Sequence, residues 1–549
     1  MEYFLARLPI YIIDFIVIVL ALYYSLIRSN YPIHMLQLEG YDNDEYKAFL
    51  KNNKDKMNKL VYKLEKNQKT PLVWTDRAKR LLKKHKLVNY ISFVIIVIIS
   101  IGLFDLTGSY VAAILATLVL SFLVYFYQDR LLILSNKWAK PTEDKINMGF
   151  YKSAQEKIRN YKKEEGLKVL GITGSFGKTS VKFISDTILS EGLRVKNTPS
   201  SFNTPMGLSK IINNELERDR EVFIAELGAK VPGEIHEVAQ LVQPDIGIIT
   251  AIGPTHMHLF KTIENIQKTK YELIEDLPED GIAIFNYDND YVKPLADKTK
   301  KKTYRYGTKD FDKLDVYADD IKVNETGSEF ILHIKGAGEI KCSTKLLGVH
   351  NISNLLASAT AAHVLGLSLE EIQRGISKVE PVEHRLSLIP SSNNTIVIDD
   401  AFNSNPVGFR AALDVLREFK DHRKIIITPG MVELGDMEED ENRKIGQVMA
   451  DVLDFAILVG KKRTLPIYEG LKDKNFDEEK IYRVSSLNEA TEVLAKISMP
   501  GDVVLFENDL PDNYNEEWKN GKYWCNLRGK IRWTRSFCNY RNANYWKYG

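Results

Sequence analysis

The chain has 549 residues, 27% charged and 44% hydrophobic, which is typical of folded protein and long enough for two to four domains. Its net charge of +2 depends on the C-terminal segment 518–549, which holds eight Lys and Arg and no acid; without it the charge is −6. The chain as a whole is therefore not basic, so its charge does not indicate nucleic acid as a partner. Three cysteines, Cys342, Cys525 and Cys538, are too few for a disulfide framework or a four-ligand zinc site.

Three apolar stretches lie near the N-terminus, at about 8–27, 88–104 and 110–128. Each reaches or approaches the ~20 residues that a membrane-spanning helix needs. Three such stretches so close together exceed what soluble domains contain, and the first lacks the basic start and cleavage site of a signal peptide. We therefore predict a membrane region with three spans over 1–140, in which Asp14 faces another helix or an interface.

Charge predicts the orientation of this region. Residues 51–86 contain thirteen Lys and Arg against three Asp and Glu, whereas only DLTGS at 105–109 joins the second and third spans. Because positive loops stay in the cytoplasm, we place 28–87 there, DLTGS outside, and everything after about 135 in the cytoplasm. The Lys-rich segment 51–86 is interpreted as a solvated helix, with contact to anionic lipid as the alternative.

A Gly-rich turn follows the membrane region. KVLGIT at 168–173 is predicted to be a strand, TGSFGKTS at 173–180 a turn, and the residues from Lys178 a helix with apolar residues at helical spacing. Backbone amides of such a turn, together with the helix N-terminus, bind phosphate. Lys178 would reach the outer phosphates of a nucleotide and the Thr179 hydroxyl would hold magnesium, although the spacing is one residue longer than in GxxxxGK[ST].

Polar residues follow the next predicted strands. EVFIAELGAK ends a strand on Glu226, DIGIITAIGPTHMHLF ends one near His256, and GIAIFNYDND ends one on Asn286 and Asp288. Ligands of open α/β sheets bind at the carboxyl ends of the strands, so we expect these residues beside the turn. A second alternating unit follows from 391, which predicts a central ATP-binding domain over 141–380 and a C-terminal domain over 381–517.

The motifs also resemble a known family. In order they are TGSFGKTS, ELGAKVPGEI, IGPTHMHLF, FKTIENIQKTKYEL, GVHNISNLLASATAA, EHR at 383–385 and DDAFNSNP. Over about 168–517 they resemble the Mur ligases, and most of all the member that adds D-alanyl-D-alanine to the muramoyl tripeptide. The resemblance implies an α/β fold with a P-loop central domain and a Rossmann-like C-terminal domain. It also implies ATP and Mg²⁺ as cofactors, and amide formation through an acyl phosphate.

The resemblance further implies roles for single residues. The implied metal ligands are Thr179, Glu226, His256 and Lys270, the last at the position of a lysine that is carbamylated in many members. The implied catalytic residues are Lys178, Lys270, His256 and Arg385. The implied nucleotide-binding residues are Thr173, Gly174, Ser175, Phe176, Gly177, Lys178, Thr179, Ser180, Asn286, His350, Asn351, Asn354 and Asp400. Asn403, Asn405 and Pro406 belong to the same signature as Asp400, in which FNSNP replaces the more usual YNANP.

The chain departs from the family at its N-terminus. Soluble Mur ligases begin with a domain that binds the UDP end of the substrate, whereas here membrane helices and a segment with one glycine, Gly40, take that place. This leaves open a lipid-linked acceptor or a partner protein that supplies the substrate.

Three functions are therefore weighed. The favoured one is a ligase at the cell membrane, with cytoplasmic catalytic domains, that joins D-Ala-D-Ala or another amine to a peptidoglycan precursor. The second is a ligase of this family acting on a different carboxylate; its amidating branch is disfavoured because the four-cysteine zinc ribbon of that branch is absent. The third is a non-catalytic ATP-binding scaffold for cell-wall enzymes, against which the intact Lys178, Glu226, His256 and Lys270 argue.

The segment 518–549 differs from the rest of the chain, holding four of the six Trp and no helical or strand period. One interpretation is a basic-aromatic arm for membrane or nucleic acid. We favour another, because back-translation from Lys519 shifted by one base permits MGNIGVIFGGKSVGHEVSVITGMQIIGN, which resembles the start of a D-alanine–D-alanine ligase. We therefore predict a disordered out-of-frame tail, and a neighbouring ligase that would supply D-Ala-D-Ala.

Overall fold

The structure is a computed structural model that describes residues 2–52, 72–200, 202–389, 394–401, 404–432 and 434–510. The described residues form two compact units, one up to Met148 and one from Gly149 onward. The predicted tail at 518–549, much of the Lys-rich segment and Asn403 lie outside the described residues.

The first unit is helical. Its helices are α1 (Glu2–Arg28), α2 (Asn30–Leu38), α3 (Asn43–Asn52), α4 (Asp76–Thr107), α5 (Tyr110–Phe126) and the beginning of α6 (Gln128–Glu165). The three predicted apolar stretches fall in α1, α4 and α5. Among the described residues, Ile12–Leu38 and α4 are each long and apolar enough to cross a membrane, and α5 becomes a third candidate if it is counted with α6, to which it is bent by 68°. Helix α6 runs through the domain boundary predicted at 140.

Buried polar side chains connect these apolar helices. The Ser100 hydroxyl on α4 donates to Asp14 Oδ2 on α1 at 2.7 Å, and Asp14 is only 4% exposed. This confirms that Asp14 faces another helix. Closer to the start of α4, the His85 ring lies 2.8 Å from Gln128 Oε1 and 2.9 Å from Ser135 Oγ on α6. Because an unpaired polar group in apolar surroundings is costly, such pairs fix which helix faces meet.

The second unit begins with a nine-stranded sheet in the order β2-β3-β1-β4-β5-β6-β7-β8-β9. The seven strands β1 to β7 run parallel to one another. The last two pairings, β7 with β8 and β8 with β9, are antiparallel. The strands are β1 (Lys168–Thr173), β2 (Val195–Asn197), β3 (Val222–Glu226), β4 (Ile246–Ile249), β5 (Ile282–Asn286), β6 (Lys302–Gly307), β7 (Val316–Asn324), β8 (Gly327–Ile334) and β9 (Gly338–Thr344). The helices are α7 (Lys178–Leu189), α8 (Pro205–Glu215), α9 (Glu234–Val242), α10 (Met257–Phe260), α11 (Ile263–Glu275), α12 (Lys293–Lys298), α13 (Val349–Val364) and α14 (Leu369–Lys378). Strands β1, β3 and β4 are buried almost throughout, as their unbroken apolar runs require.

A six-stranded sheet follows in the order β10-β11-β15-β12-β13-β14, parallel except for β10. Its strands are β10 (Ser387–Ile389), β11 (Ile396–Asp400), β12 (Lys424–Thr428), β13 (Phe455–Val459), β14 (Ile481–Val484) and β15 (Val503–Glu507). Its helices are α15 (Pro406–Glu418), α16 (Glu438–Ala450), α17 (Leu465–Asp473) and α18 (Leu487–Ile497). Two α/β sheets in series confirm the predicted fold class.

One predicted strand end is wrong. The strand expected to end near His256 is β4, which ends at Ile249. Just after Ile249 the backbone bonds to the glycine turn instead of a neighbouring strand, since the amide of Ser175 donates to the carbonyl of Ala251 at 2.7 Å. The chain therefore leaves the sheet, and His256 lies in a loop with a left-handed backbone, at φ 49°.

Candidate active site

The Gly-rich turn is shaped by close contact with the end of β4. Gly174 and Gly177 have φ of 154° and 82°, which other residues rarely adopt. A Cβ on Gly174 would lie 2.1 Å from Thr250 Oγ1, and one on Gly177 would lie 2.9 Å from Asn354 Oδ1. The Thr250 hydroxyl donates to the carbonyl of Phe176 at 2.6 Å. Only glycines fit, so the turn keeps a bare backbone, as phosphate binding requires.

Lys178 begins α7 and folds back over this turn. Its ammonium donates to the carbonyls of Gly174 at 2.7 Å and Ser175 at 3.2 Å. Burial lowers the pKa of Lys178, the charge of Glu226 opposes that shift, and the charge of Arg385 adds to it. Arg385 comes from the C-terminal domain, so residues of both domains act on the same ammonium.

Glu226, at the end of β3, is 1% exposed and is surrounded by donors. It accepts from Thr179 Oγ1 at 3.0 and 3.1 Å, from Lys182 Nζ at 3.2 Å and from Asn203 Nδ2 at 3.2 Å. Lys182 also donates to the carbonyl of Ser200. Sequence reasoning missed Lys182 and Asn203. Lys182 lies one helical turn after Lys178, a spacing that puts both on one face of α7 and could have revealed it.

Lys270 lies on α11 and is 2% exposed. Burial, together with the nearby charge of Lys178, lowers its pKa to about 7. Its ammonium sits 5.8 Å from the centre of the Phe260 ring. Lys270 is therefore a buried amine with a substantial neutral fraction near pH 7.

The remaining predicted metal and strand-end residues are more dispersed. His256 precedes α10, and Asn286 ends β5, where its amide donates to Ser353 Oγ at 3.3 Å. Within the described parts of the chain, no three His, Cys, Asp or Glu side chains form a group that could hold a metal. The structure brings the Thr179 hydroxyl to the Glu226 carboxylate, and a magnesium ion there would require further oxygen ligands.

The start of α13 lies against the turn. Asn354 donates to Asn351 Oδ1 at 3.2 Å, and Asn351 donates to the carbonyl of Leu347 at 2.9 Å. Burial lowers the pKa of His350 to about 4, so its ring is neutral at physiological pH. A neutral ring and two amides form a suitable edge for an uncharged base.

The C-terminal domain contributes a pair of acids. Asp400 and Glu507 are direct neighbours on the parallel strands β11 and β15. Burial raises the pKa of Asp400 to about 6 and raises that of Glu507 well above its usual range, while the charge of Arg385 lowers both. The Ser404 hydroxyl donates to Glu507 Oε1 at 2.6 Å. Because two buried carboxylates side by side would repel each other, we expect one of the two acids to hold a proton. Glu507 was not predicted, because only the register of β11 and β15 brings it to Asp400. Ser404 was also missed, since its contact is with Glu507.

The site fits ATP and magnesium in several respects. The bare turn, the Lys178 ammonium and the first turn of α7, with Ser180, suit phosphate oxygens; Thr179 and Glu226 suit a hard cation. Thr173 is different, since its hydroxyl is buried and donates to the carbonyl of Leu227 at 3.0 Å, so only its backbone faces the turn. These features define a P-loop nucleotide site completed by a second α/β domain.

Comparison with known proteins identifies the family to which this P-loop protein belongs. The Mur ligase middle domain matches residues 172–362, and the glutamate ligase domain of Mur ligases matches 384–507. The UDP-N-acetylmuramoyl-tripeptide--D-alanyl-D-alanine ligase of Bacillus subtilis is 30% identical over 355 residues, covering 64% of this chain and 75% of that protein. The Escherichia coli ligase of the same name is 31% identical over 297 residues, covering 54% and 65%.

Solved structures of Mur ligases resemble this chain in fold. A crystal structure of MurF from Acinetobacter baumannii superposes with a TM-score of 0.59 at 26% identity, covering 66% of this chain and 78% of that one. The MurF ligase of Thermotoga maritima in complex with ADP has the same fold, with a TM-score of 0.59 at 24% identity, covering 66% and 80%. The chain belongs to the Mur ligase family, whose members are acid–amino-acid ligases that use ATP and Mg²⁺.

Proposed function

We propose that this chain is a membrane-anchored ligase that joins D-alanyl-D-alanine to the terminal carboxylate of a peptidoglycan-precursor peptide. The observation that carries the proposal is the cluster of Lys178, Thr179 and Glu226 at the glycine turn, in a chain whose relatives bear the name of that activity. His256, Arg385 and the nucleotide-binding residues predicted from the sequence belong to the same proposal.

The reaction has two steps. An oxygen of the substrate carboxylate attacks the γ-phosphorus of ATP, the bond to ADP breaks, and an acyl phosphate forms. The amine of the dipeptide then attacks the acyl carbon, phosphate leaves, and the departing phosphate takes up the amine proton. Both reactants of the first step are anions, so the Lys178 ammonium offsets their repulsion. Arg385, brought by the C-terminal domain, adds positive charge when the two domains enclose the site.

We further propose that Lys270 is carbamylated. Its neutral amine nitrogen adds to carbon dioxide, a C–N bond forms and one proton is released, which leaves an anionic oxygen ligand. Support comes from its burial, its pKa of about 7, and the positive charge of Lys178 nearby, which would stabilise the carbamate. With Thr179, Glu226 and His256, that oxygen would supply the magnesium ligands that an ammonium cannot.

The helical unit supports membrane placement. Ile12–Leu38 and α4 have the length and hydropathy of membrane spans. The excess of Lys and Arg at 51–86 would keep that segment, and the catalytic unit, in the cytoplasm. Because membrane spans would hold the enzyme beside lipid-linked molecules, a lipid-linked acceptor is the second candidate substrate. Confinement to the membrane would then raise the effective concentration of enzyme and acceptor.

Phosphate release from ATP by the purified full-length protein tests the activity. We expect release that depends on both the tripeptide acceptor and D-Ala-D-Ala, and that is abolished in Lys178→Ala but retained in Lys168→Ala, an exposed lysine on β1. Release that ignores the added amine would contradict the proposal, as would full activity of Lys178→Ala.

Two further measurements test the finer points. Lys270→Ala should be nearly inactive and partly rescued by a small carboxylic acid, and ¹³C-bicarbonate should give a carbamate signal that this variant lacks. For the tail, the coding DNA decides: a D-alanine–D-alanine ligase reading frame should begin in the +1 frame near codon 519. A +1 frame closed by stop codons would leave the basic-aromatic arm as the explanation of 518–549.

A further inference from the structure

A groove in the helical unit has no role in the ligase chemistry. It lies between α4 and α6, has a volume of about 490 Å³, and is lined by both helices. The wall from α4 contains Lys83, Lys84 and Lys86 followed by Leu87 and Tyr90. The volume is that of a small-molecule pocket, far more than a free phosphate would fill.

The charge around this groove is positive and largely unbalanced. Arg80, at one end, is neutralised by a bidentate ion pair with Glu143 of α6, with N–O distances of 2.6 and 2.7 Å. For Lys83, Lys84 and Lys86, no carboxylate within the described residues lies at ion-pair distance. The Lys84 ammonium instead lies 5.2 Å from the centre of the Trp138 ring. Three positive charges therefore face a groove that offers them no acidic partner among those residues.

The groove also lies at the point where the residues of α4 change from basic to apolar. Its residues 76–87 are rich in Lys and Arg, and from Val88 the helix is almost entirely apolar. Leu87 is 41% exposed, Tyr90 47% and Trp138 45%. Tyr and Trp rings concentrate at membrane–water interfaces. The basic end of the groove would thus meet lipid head groups, and its apolar end would meet acyl chains.

We propose that this groove binds one anionic phospholipid of the cytoplasmic leaflet. Its phosphate lies among Lys83, Lys84 and Lys86, and the start of one acyl chain lies along Leu87 and Tyr90. Charge complementarity, the apolar wall and the volume together select a lipid over a free anion. The inference rests on the proposed membrane placement of α4. The membrane placement and the lipid site can be refuted independently. Retention of the protein in alkali-washed membranes tests the membrane placement, and lipid binding by detergent-solubilised protein tests the lipid site.

The test uses full-length protein in detergent with equal amounts of phosphatidylglycerol and phosphatidylcholine, and native mass spectrometry to count bound lipids. We expect one phosphatidylglycerol to bind preferentially. Lys83→Gln/Lys84→Gln/Lys86→Gln should lower that affinity by at least roughly tenfold, since each lysine near a lipid surface contributes appreciably. The matched control is Lys137→Gln/Lys140→Gln/Lys145→Gln, three exposed lysines of α6 that do not line the groove. It should keep the preference.

A second variant leaves the charge unchanged. Thr142→Trp places a large ring in the groove from an exposed position of α6 and should also weaken phosphatidylglycerol binding. Equal loss in the control triple variant would mean non-specific charge attraction and overturn the site. So would unaltered binding by Thr142→Trp, or displacement of the lipid by millimolar inorganic phosphate, which would indicate a phosphate site instead.

Discussion

Lys182 is the residue whose removal most directly tests the packing of the active site. Its ammonium is fully buried, 3.2 Å from Glu226 Oε2, and Glu226 is itself 1% exposed. Substituting Lys182→Met keeps most of the side-chain volume and removes the charge. Glu226 then retains only neutral donors among the contacts described above, those of Thr179 and Asn203.

The expected cost follows from that environment. Breaking a buried ion pair by removing one partner costs about 3–5 kcal/mol, because the other charge stays buried. Two neutral donors remain on Glu226, so we expect the lower end, about 3 kcal/mol, which corresponds to about 150-fold in an opening equilibrium. The double variant Lys182→Met/Glu226→Gln removes both charges and should recover most of the loss.

Hydrogen exchange of the full-length protein, followed by mass spectrometry on peptides from β1 and β3, measures this local opening. Exchange should accelerate about 150-fold in Lys182→Met and far less in the double variant. Lys168→Met, at an exposed position of β1, is the control and should leave exchange unchanged. An acceleration below threefold in Lys182→Met, or a double variant as unstable as the summed single variants, would refute the ion-pair argument.

Three other changes have definite outcomes. Gly174→Ala would place a Cβ 2.1 Å from Thr250 Oγ1 and should destabilise the turn by at least about 1 kcal/mol; nucleotide binding, measured with a fluorescent ATP analogue, should fall, and Thr250→Ala should restore it in part. Because burial raises the pKa of Asp400 to about 6 and raises that of Glu507 well above its usual range, the two acids bind more protons in the native state than in the unfolded state above about pH 4. Urea stability of the C-terminal domain should therefore fall as pH rises from about 4 through 6, and Glu507→Gln should flatten that slope; an identical slope in the variant would refute the raised pKa of this acid pair. Asn405→Ala removes the side-chain cap of α15 and should cost about 1 kcal/mol, seen as faster exchange confined to that helix.

Local sequence patterns were sufficient for much of the fold. The strand KVLGIT, the turn and the helix from Lys178 appear at the predicted residues, as do the strands that end at Glu226 and Asn286. Apolar runs and glycine turns depend on a few neighbouring residues, so the strands and turns that they form can be predicted without the tertiary structure. The end of β4 was misplaced because the apolar run continues through Ile252, whereas the backbone leaves the sheet after Ile249 to bond with the glycine turn, a contact that the local sequence does not reveal.

The sequence by itself thus determined the class of the protein: apolar helices, a P-loop, and two α/β domains in series. The tertiary structure alone decided which charges meet. Lys182 and Glu226 are distant in sequence, and Asp400 and Glu507 are more so. The helix that follows β1 brings Lys182 to the end of β3, and the register of β11 and β15 brings Asp400 to Glu507. Burial then shifts the pKa of Lys270 and of both acids, because a charge loses its hydration only when the surrounding elements have packed around it.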